Sequence, residues 1–176
     1  MKSSIALIGF MGTGKTAVGK LLAQKLGKEF IELDALIEKK AGKSITEIFR
    51  QDGEIRFREL EIEVTKAVTG RKNAVIACGG GVVLNTINIE RLRLDYVIVC
   101  LTAAPSVILK RTSNDKGSRP LLAVADRLLE TEKLLKSRRP FYERAADISI
   151  NTSRSKPGAV VERIIKKVRE HENIRL

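Results

Sequence analysis

The chain has 176 residues, 43% of them hydrophobic, and sets 33 Lys and Arg against 21 Asp and Glu for a formal charge of +12. One domain with an aliphatic core is expected, because two Tyr, five Phe and no Trp are its whole aromatic content and single cores typically hold about 100 to 200 residues. A lone His171 and two cysteines, Cys78 and Cys100 in apolar runs, argue against a Cys/His zinc site, a histidine general base and a disulfide framework.

Taken in chain order, short apolar runs alternate with segments of helical period. Ile5–Ile8 reads as a first strand, and Lys15–Leu26 as a helix closed by Gly27. A second strand over Phe30–Leu33 leads to Asp34 and a helix at Ala35–Lys40, for which Asp34 could serve as N-cap. Ser44-Ile45-Thr46-Glu47 is a capping box. Glu54–Thr69 follows as a helix with Phe57, Leu60, Val64, Ala67 and Val68 on one stripe, ended by Gly70. Strands are expected at Ala74–Cys78, Tyr96–Leu101 and Ile148–Asn151, and a last helix from Pro157 buries Val160, Val161, Ile164, Ile165 and Val168. Thr112 to Pro120 has no hydrophobic period and reads as a mobile loop carrying Arg119. The pattern is that of βα units around a mostly parallel five-stranded sheet, with no repeat or Pro/Gly-rich linker.

Charge and hydropathy narrow the partners. Residues 1–109 hold 16 basic against 12 acidic side chains and residues 110–176 hold 17 against 9, without a run of five like charges. That surface fits nucleic acid, an anionic membrane surface, small anions or plain solvation. Apolar runs such as Val97–Leu101 fall far short of the ~20 residues of a membrane span. Met1-Lys2-Ser3-Ser4 ahead of Ile5–Ile8 is too short for a secretion signal, so a cytoplasmic location is expected.

Gly9-Phe10-Met11-Gly12-Thr13-Gly14-Lys15-Thr16 fits G-x-x-x-x-G-K-[ST] between the first strand and the first helix. Backbone N–H groups of such a loop curl around phosphate oxygens, and the helix N-terminus adds partial positive charge. Lys15 would reach the β- and γ-phosphates and the Thr16 hydroxyl would ligate Mg²⁺. Ligands of parallel sheets bind beyond the C-terminal strand ends. Asp34 and Gly79-Gly80-Gly81 would therefore face this loop, the carboxylate able to draw a proton from an attacking hydroxyl and the glycines able to pass close to a bound molecule.

These pieces stand in order with Asp52-Gly53-Glu54-Ile55-Arg56-Phe57-Arg58, Arg119-Pro120-Leu121-Leu122, Arg138-Arg139-Pro140-Phe141-Tyr142 and Pro157-Gly158-Ala159-Val160-Val161. The ordered set resembles the shikimate kinase family over nearly the whole chain. The resemblance implies a three-layer αβα P-loop kinase fold in one domain, with a five-stranded parallel sheet, a substrate-binding region about 34–62 and a mobile lid about 112–124. It implies transfer of the ATP γ-phosphoryl group to the 3-hydroxyl of shikimate, with Mg²⁺, in aromatic amino-acid biosynthesis.

By the same resemblance Asp34, Lys15 and Arg119 are catalytic. Gly12, Thr13, Gly14, Lys15, Thr16, Ala17, Arg111, Arg119, Ser155 and Pro157 bind ATP, with Arg111 against the adenine. Asp34, Arg58, Gly79, Gly80, Gly81 and Arg138 bind shikimate, the two arginines forking onto its carboxylate. Glu61, three residues beyond Arg58, is placed to hold that arginine's rotamer.

Two positions depart from the family's pattern. Glu32 stands where many members have an aspartate that organises the water shell of Mg²⁺; its longer side chain is expected to act through water, less directly, or not at all. Cys78 replaces a frequent hydroxyl residue and reads as inert packing. A monomer that binds neither nucleic acid nor membrane is expected. The alternatives are another P-loop kinase, for gluconate or a nucleoside monophosphate, and an ATP-using nucleic-acid binder, against which the scarcity of aromatics argues.

Overall fold

Residues 2–113 and 126–171 are described by the computed structural model. Five strands, β1 (Ser4–Ile8), β2 (Glu29–Glu32), β3 (Ala74–Ala77), β4 (Tyr96–Thr102) and β5 (Ile148–Asn151), form one sheet in the order β2-β3-β1-β4-β5. Every neighbouring pair is parallel. All residues of β1 and β3 are buried, as are all of β4 except Thr102, which is why these strands read as continuous apolar runs rather than alternating ones.

The period of two sorts the strand residues between two helical layers. Ile5 and Leu7 of β1, with Val97, Val99 and Leu101 of β4, pack against α1 (Lys15–Leu26) and α8 (Pro157–Arg169) through Val18, Leu22, Val161 and Ile164. Ala6, Ile8, Ile98 and Cys100 face the other way. There they meet α2 (Leu33–Ala41), α4 (Gly53–Val68), α5 (Thr86–Asp95) and α7 (Arg127–Ala145). Two further helices, α3 (Ile45–Gln51) and α6 (Pro105–Thr112), bring the described helices to eight, with one 3₁₀ turn at Val82–Leu84. This is the expected three-layer arrangement.

Strand order reverses beside β1, whose neighbours are β3 on one side and β4 on the other. Diverging connections open a crevice at the C-terminal end of β1, and the loop Gly9–Gly14 leaves the sheet there.

The expected strand limits hold to within a residue, with two shifts that matter for the site. Leu33 begins α2 instead of ending β2, and Cys78 follows β3. Helix α2 therefore starts ahead of Asp34, which lies in its first turn; Glu32 holds the N-cap position, without a side-chain capping bond. The Ser44–Glu47 capping box is present in both directions. Cys78 and Cys100 are buried and unbridged. Burial pushes the Cys100 thiol up to about 11 and Cys78 higher still, so both stay protonated near neutral pH. Among the described residues no helix is long and apolar enough to cross a membrane.

Candidate active site

The phosphate-binding loop is shaped by its own carbonyls. Thr13 donates to Phe10 O twice, from its amide at 3.3 Å and from its hydroxyl at 2.7 Å. Lys15 Nζ donates to Gly9 O at 2.8 Å and Phe10 O at 3.0 Å, folding its ammonium back over the loop. Gly14, at φ +98°, turns the chain into α1 in a backbone conformation that a side chain would strain. The residues of G-x-x-x-x-G-K-[ST] thus make a compact loop whose amides open α1, the geometry that receives phosphate groups.

A cavity of about 310 Å³ lies over this loop, bounded by Met11, Gly12 and the Gly14–Ala17 turn, by Glu32 and Asp34, by Cys78 and Gly80, and by Arg111. The Thr16 hydroxyl donates to Glu32 Oε1 at 2.5 Å. The added methylene of glutamate thus carries the carboxylate onto the threonine rather than away from it. Two hard oxygen donors side by side suit Mg²⁺, whose remaining octahedral positions usually go to phosphate oxygens and waters; the donor set fits the ion.

Opposite the loop, Gly79 and Gly81 lie close against charged side chains and Gly80 against the P-loop backbone. A β-carbon on Gly79 would lie 2.7 Å from Asp34 Oδ1 and 3.1 Å from Glu61 Oε1, so both carboxylates flank one backbone atom. A β-carbon on Gly81 would lie 2.1 Å from Arg58 Nη1, inside the guanidinium's van der Waals envelope. Gly80 approaches the amide of Met11, and Tyr142 donates its hydroxyl to Gly80 O. At Gly79 and Gly81 a side chain would displace Asp34 and Arg58, and Gly80 brings this loop against the P-loop backbone.

Arg58 is held on two sides. Its Nη2 pairs with Glu54 Oε1 at 3.0 Å, four residues earlier, and its Nη1 with Glu61 Oε2 at 3.0 Å, three residues later. The Glu61 side chain is 1% exposed. Its Oε1 has no hydrogen-bond partner among the described residues. Burial raises its pKa above the ordinary carboxylate value, and the Arg58 guanidinium counteracts only part of that. Arg138 is buried on α7, its guanidinium carbon 5.8 Å from the Phe10 ring centroid.

The sequence-derived residues fall into groups. Gly12, Thr13, Gly14, Lys15, Thr16 and Ala17 form the loop and its helix start; Glu32, Asp34 and Gly80 join them at the first cavity. Arg58 does not border that cavity. It faces a second, of about 460 Å³, with Glu54, Ile55 and Asn85, and its guanidinium lies against Gly81. Arg111 is tied down rather than free on the surface, donating to Gly12 O at 3.3 Å and to both oxygens of Thr152. Ser155 accepts from Arg163 at 3.0 Å in the turn that leads to Pro157, the first residue of α8. Arg119 and most of the expected lid lie outside the described residues.

Sequence reasoning passed over two participants. Tyr142 was visible in the Arg138–Tyr142 segment but had no assigned task. Thr152 had no motif at all.

A parallel sheet of this order, a glycine-rich loop entering α1 with Lys15 and Thr16, and an acidic side chain across from it define a P-loop phosphotransferase. The family model for shikimate kinase matches residues 11–169. A shikimate kinase of Thermodesulfovibrio yellowstonii is 49% identical over 173 residues, covering 97% of either chain. One from Pelotomaculum thermopropionicum is 45% identical over 171 residues, 97% of this chain and 98% of the relative. Among solved structures, the shikimate kinase of Acinetobacter baumannii in complex with shikimate superposes with a TM-score of 0.93 at 36% identity, covering 98% of this chain and 96% of that one. That of Aquifex aeolicus does so at 0.82 and 34%, covering 94% and 96%. The chain belongs to the shikimate kinase family.

Proposed function

We propose that the protein phosphorylates the 3-hydroxyl of shikimate with ATP, giving shikimate 3-phosphate and ADP, a step of aromatic amino-acid biosynthesis. The observation that carries this reading is the glycine loop after β3. It sets a carboxylate, Asp34, at Gly79 beside the cavity over the phosphate loop, and a guanidinium, Arg58, at Gly81, two residues further along and bordering the neighbouring cavity. An acceptor with one hydroxyl to activate and one carboxylate to anchor matches that pair.

Lys15 exchanges the Gly9 and Phe10 carbonyls for phosphate oxygens, and the amides at the start of α1 hold the rest of the triphosphate. Thr16 and Glu32 would hold Mg²⁺, which when bound offsets the charge of the transferring phosphoryl group. Asp34 accepts the hydrogen bond of the 3-hydroxyl, aims its oxygen at phosphorus and takes its proton as the new P–O bond forms. Arg58, released from exposed Glu54 but kept in its rotamer by Glu61, forks onto the carboxylate, with Arg138 as the second clamp. Arg119 is assigned to the γ-phosphate from the sequence alone. Most of the acceleration in such a site comes from positioning and electrostatics. A monomer is the expected state, which light scattering would report.

The decisive assay adds shikimate, gluconate or a nucleoside monophosphate to enzyme with Mg-ATP and follows ADP release. Turnover with shikimate alone is the expected result, and shikimate-independent ADP release, or turnover only with another acceptor, would overturn the reading.

A further inference from the structure

Thr152, the residue after β5, is 2% exposed and lies where the sheet, the phosphate loop and Arg111 meet. Its amide donates to Thr102 O at 2.8 Å, extending the β4–β5 ladder by one step. Its hydroxyl lies 2.9 Å from Thr13 O and 3.2 Å from Thr102 O. A hydroxyl has one proton to give. Thr13 O is the nearer of the two acceptors, so the proton goes there. The same hydroxyl accepts from Arg111 Nη1 at 3.0 Å while the Thr152 carbonyl accepts from Nη2 at 2.8 Å, and Nη1 also reaches Gly12 O at 3.3 Å.

Two consequences follow from planarity. The Thr13–Gly14 peptide is flat and trans, so a carbonyl held toward Thr152 sends the Gly14 N–H the opposite way, and Gly14 lines the cavity over the loop. A guanidinium is flat too, and two parallel bonds to one residue fix its plane. One buried side chain therefore sets both the aim of a phosphate-loop amide and the orientation of the arginine beside it.

We infer that Thr152 is a positioning residue for the nucleotide, locking the Thr13–Gly14 peptide and Arg111 into one unit so that the phosphate side and the base side of ATP are seated together. The inference rests on the reading of this site as an ATP site. A lost buried hydrogen bond of this kind converts to roughly a tenfold change in affinity.

The test compares the wild-type protein with Thr152→Val, Thr152→Ser and Arg111→Ala by calorimetry with Mg-ADP, Mg-pyrophosphate and shikimate, beside thermal melts. Thr152→Val should bind Mg-ADP about tenfold more weakly and lose affinity for Mg-pyrophosphate as well. Arg111→Ala should weaken Mg-ADP more than it weakens Mg-pyrophosphate. Thr152→Ser, which keeps the hydroxyl, should bind all three as the wild type does, and shikimate affinity should not move in any variant. Unchanged Mg-ADP binding in Thr152→Val overturns the inference, as does an equal loss of shikimate binding. If the valine variant does not fold, the serine variant and Thr152→Ala are compared instead; equal Mg-ADP affinity in those two is again fatal. A wild-type protein that binds no Mg-ADP would strike the functional reading itself, a result separate from these.

Discussion

On the nucleotide side, side chains are anchored to main-chain carbonyls: Lys15 on Gly9 and Phe10, Thr152 on Thr13, Arg111 on Gly12 and Thr152. On the acceptor side, charge is anchored to charge, with Arg58 between Glu54 and Glu61. Carbonyl anchors do not titrate and hold a loop whose shape is needed whatever acceptor is used. Ion pairs can be exchanged, so Glu54, half exposed, can give way to a substrate carboxylate while buried Glu61 keeps the arginine aimed. On the proposed reading, the first arrangement would serve general phosphate binding and the second the choice of acceptor.

Substitutions on either side test that division. The largest effect is expected for Asp34→Asn, which should lower kcat by roughly 10²- to 10⁴-fold with Mg-ADP affinity retained, as read by steady-state kinetics beside calorimetry. Arg58→Ala should raise the KM for shikimate by roughly 10- to 100-fold and leave the KM for ATP in place; an unchanged shikimate KM would remove the carboxylate role. Gly81→Ala tests the same arginine through the backbone, since the new β-carbon must push the guanidinium aside. It should weaken shikimate about tenfold while Mg-ADP binding stays normal. Tyr142→Phe removes the bond to Gly80 O and should cost only a few-fold in shikimate affinity.

The smallest effect is on stability and separates the halves by pH. Folded Glu61 keeps its proton to higher pH than the unfolded chain does. As pH rises past the ordinary value of 4.5, the unfolded state loses this proton first. Stability therefore declines between that value and the raised one, and is flat above it. Urea unfolding across this interval should show the decline in the wild type and a shallower one in Glu61→Gln; parallel curves would contradict it.

The same contrast explains what could be read from sequence. Strands buried on both faces are plain apolar runs, and the phosphate loop is contiguous, so both were legible to within a residue. Helices α5 and α7 were not. In α5 the polar Asn88 is buried while Leu94 is 72% exposed, which scrambles the helical period. In α7 the buried positions are Thr131, Arg138, Tyr142 and Ala145, and Pro140 sits inside the helix. Asp34 and Arg58 were legible through family resemblance, but their meeting at Gly79 and Gly81 depends on α2, α4 and the loop after β3 converging. Thr152 stands 139 residues from the carbonyl it holds, and no local pattern marks such a pair. Sequence could not say whether Glu32 reaches the metal position directly, through water or not at all, because that depends on where the end of β2 sets its side chain, which in the fold is beside Thr16.

The bond from Tyr142 to Gly80 gives the protein a built-in optical reporter. The chain has two tyrosines and no tryptophan to mask them. Tyr96 opens β4 and is capped by Val68 O, a strand's length of about 20 Å from the crevice. Tyr142 alone touches the glycine loop. Ultraviolet difference spectra of the unlabelled protein should therefore follow events at the acceptor loop through one phenol, with the other as an internal reference.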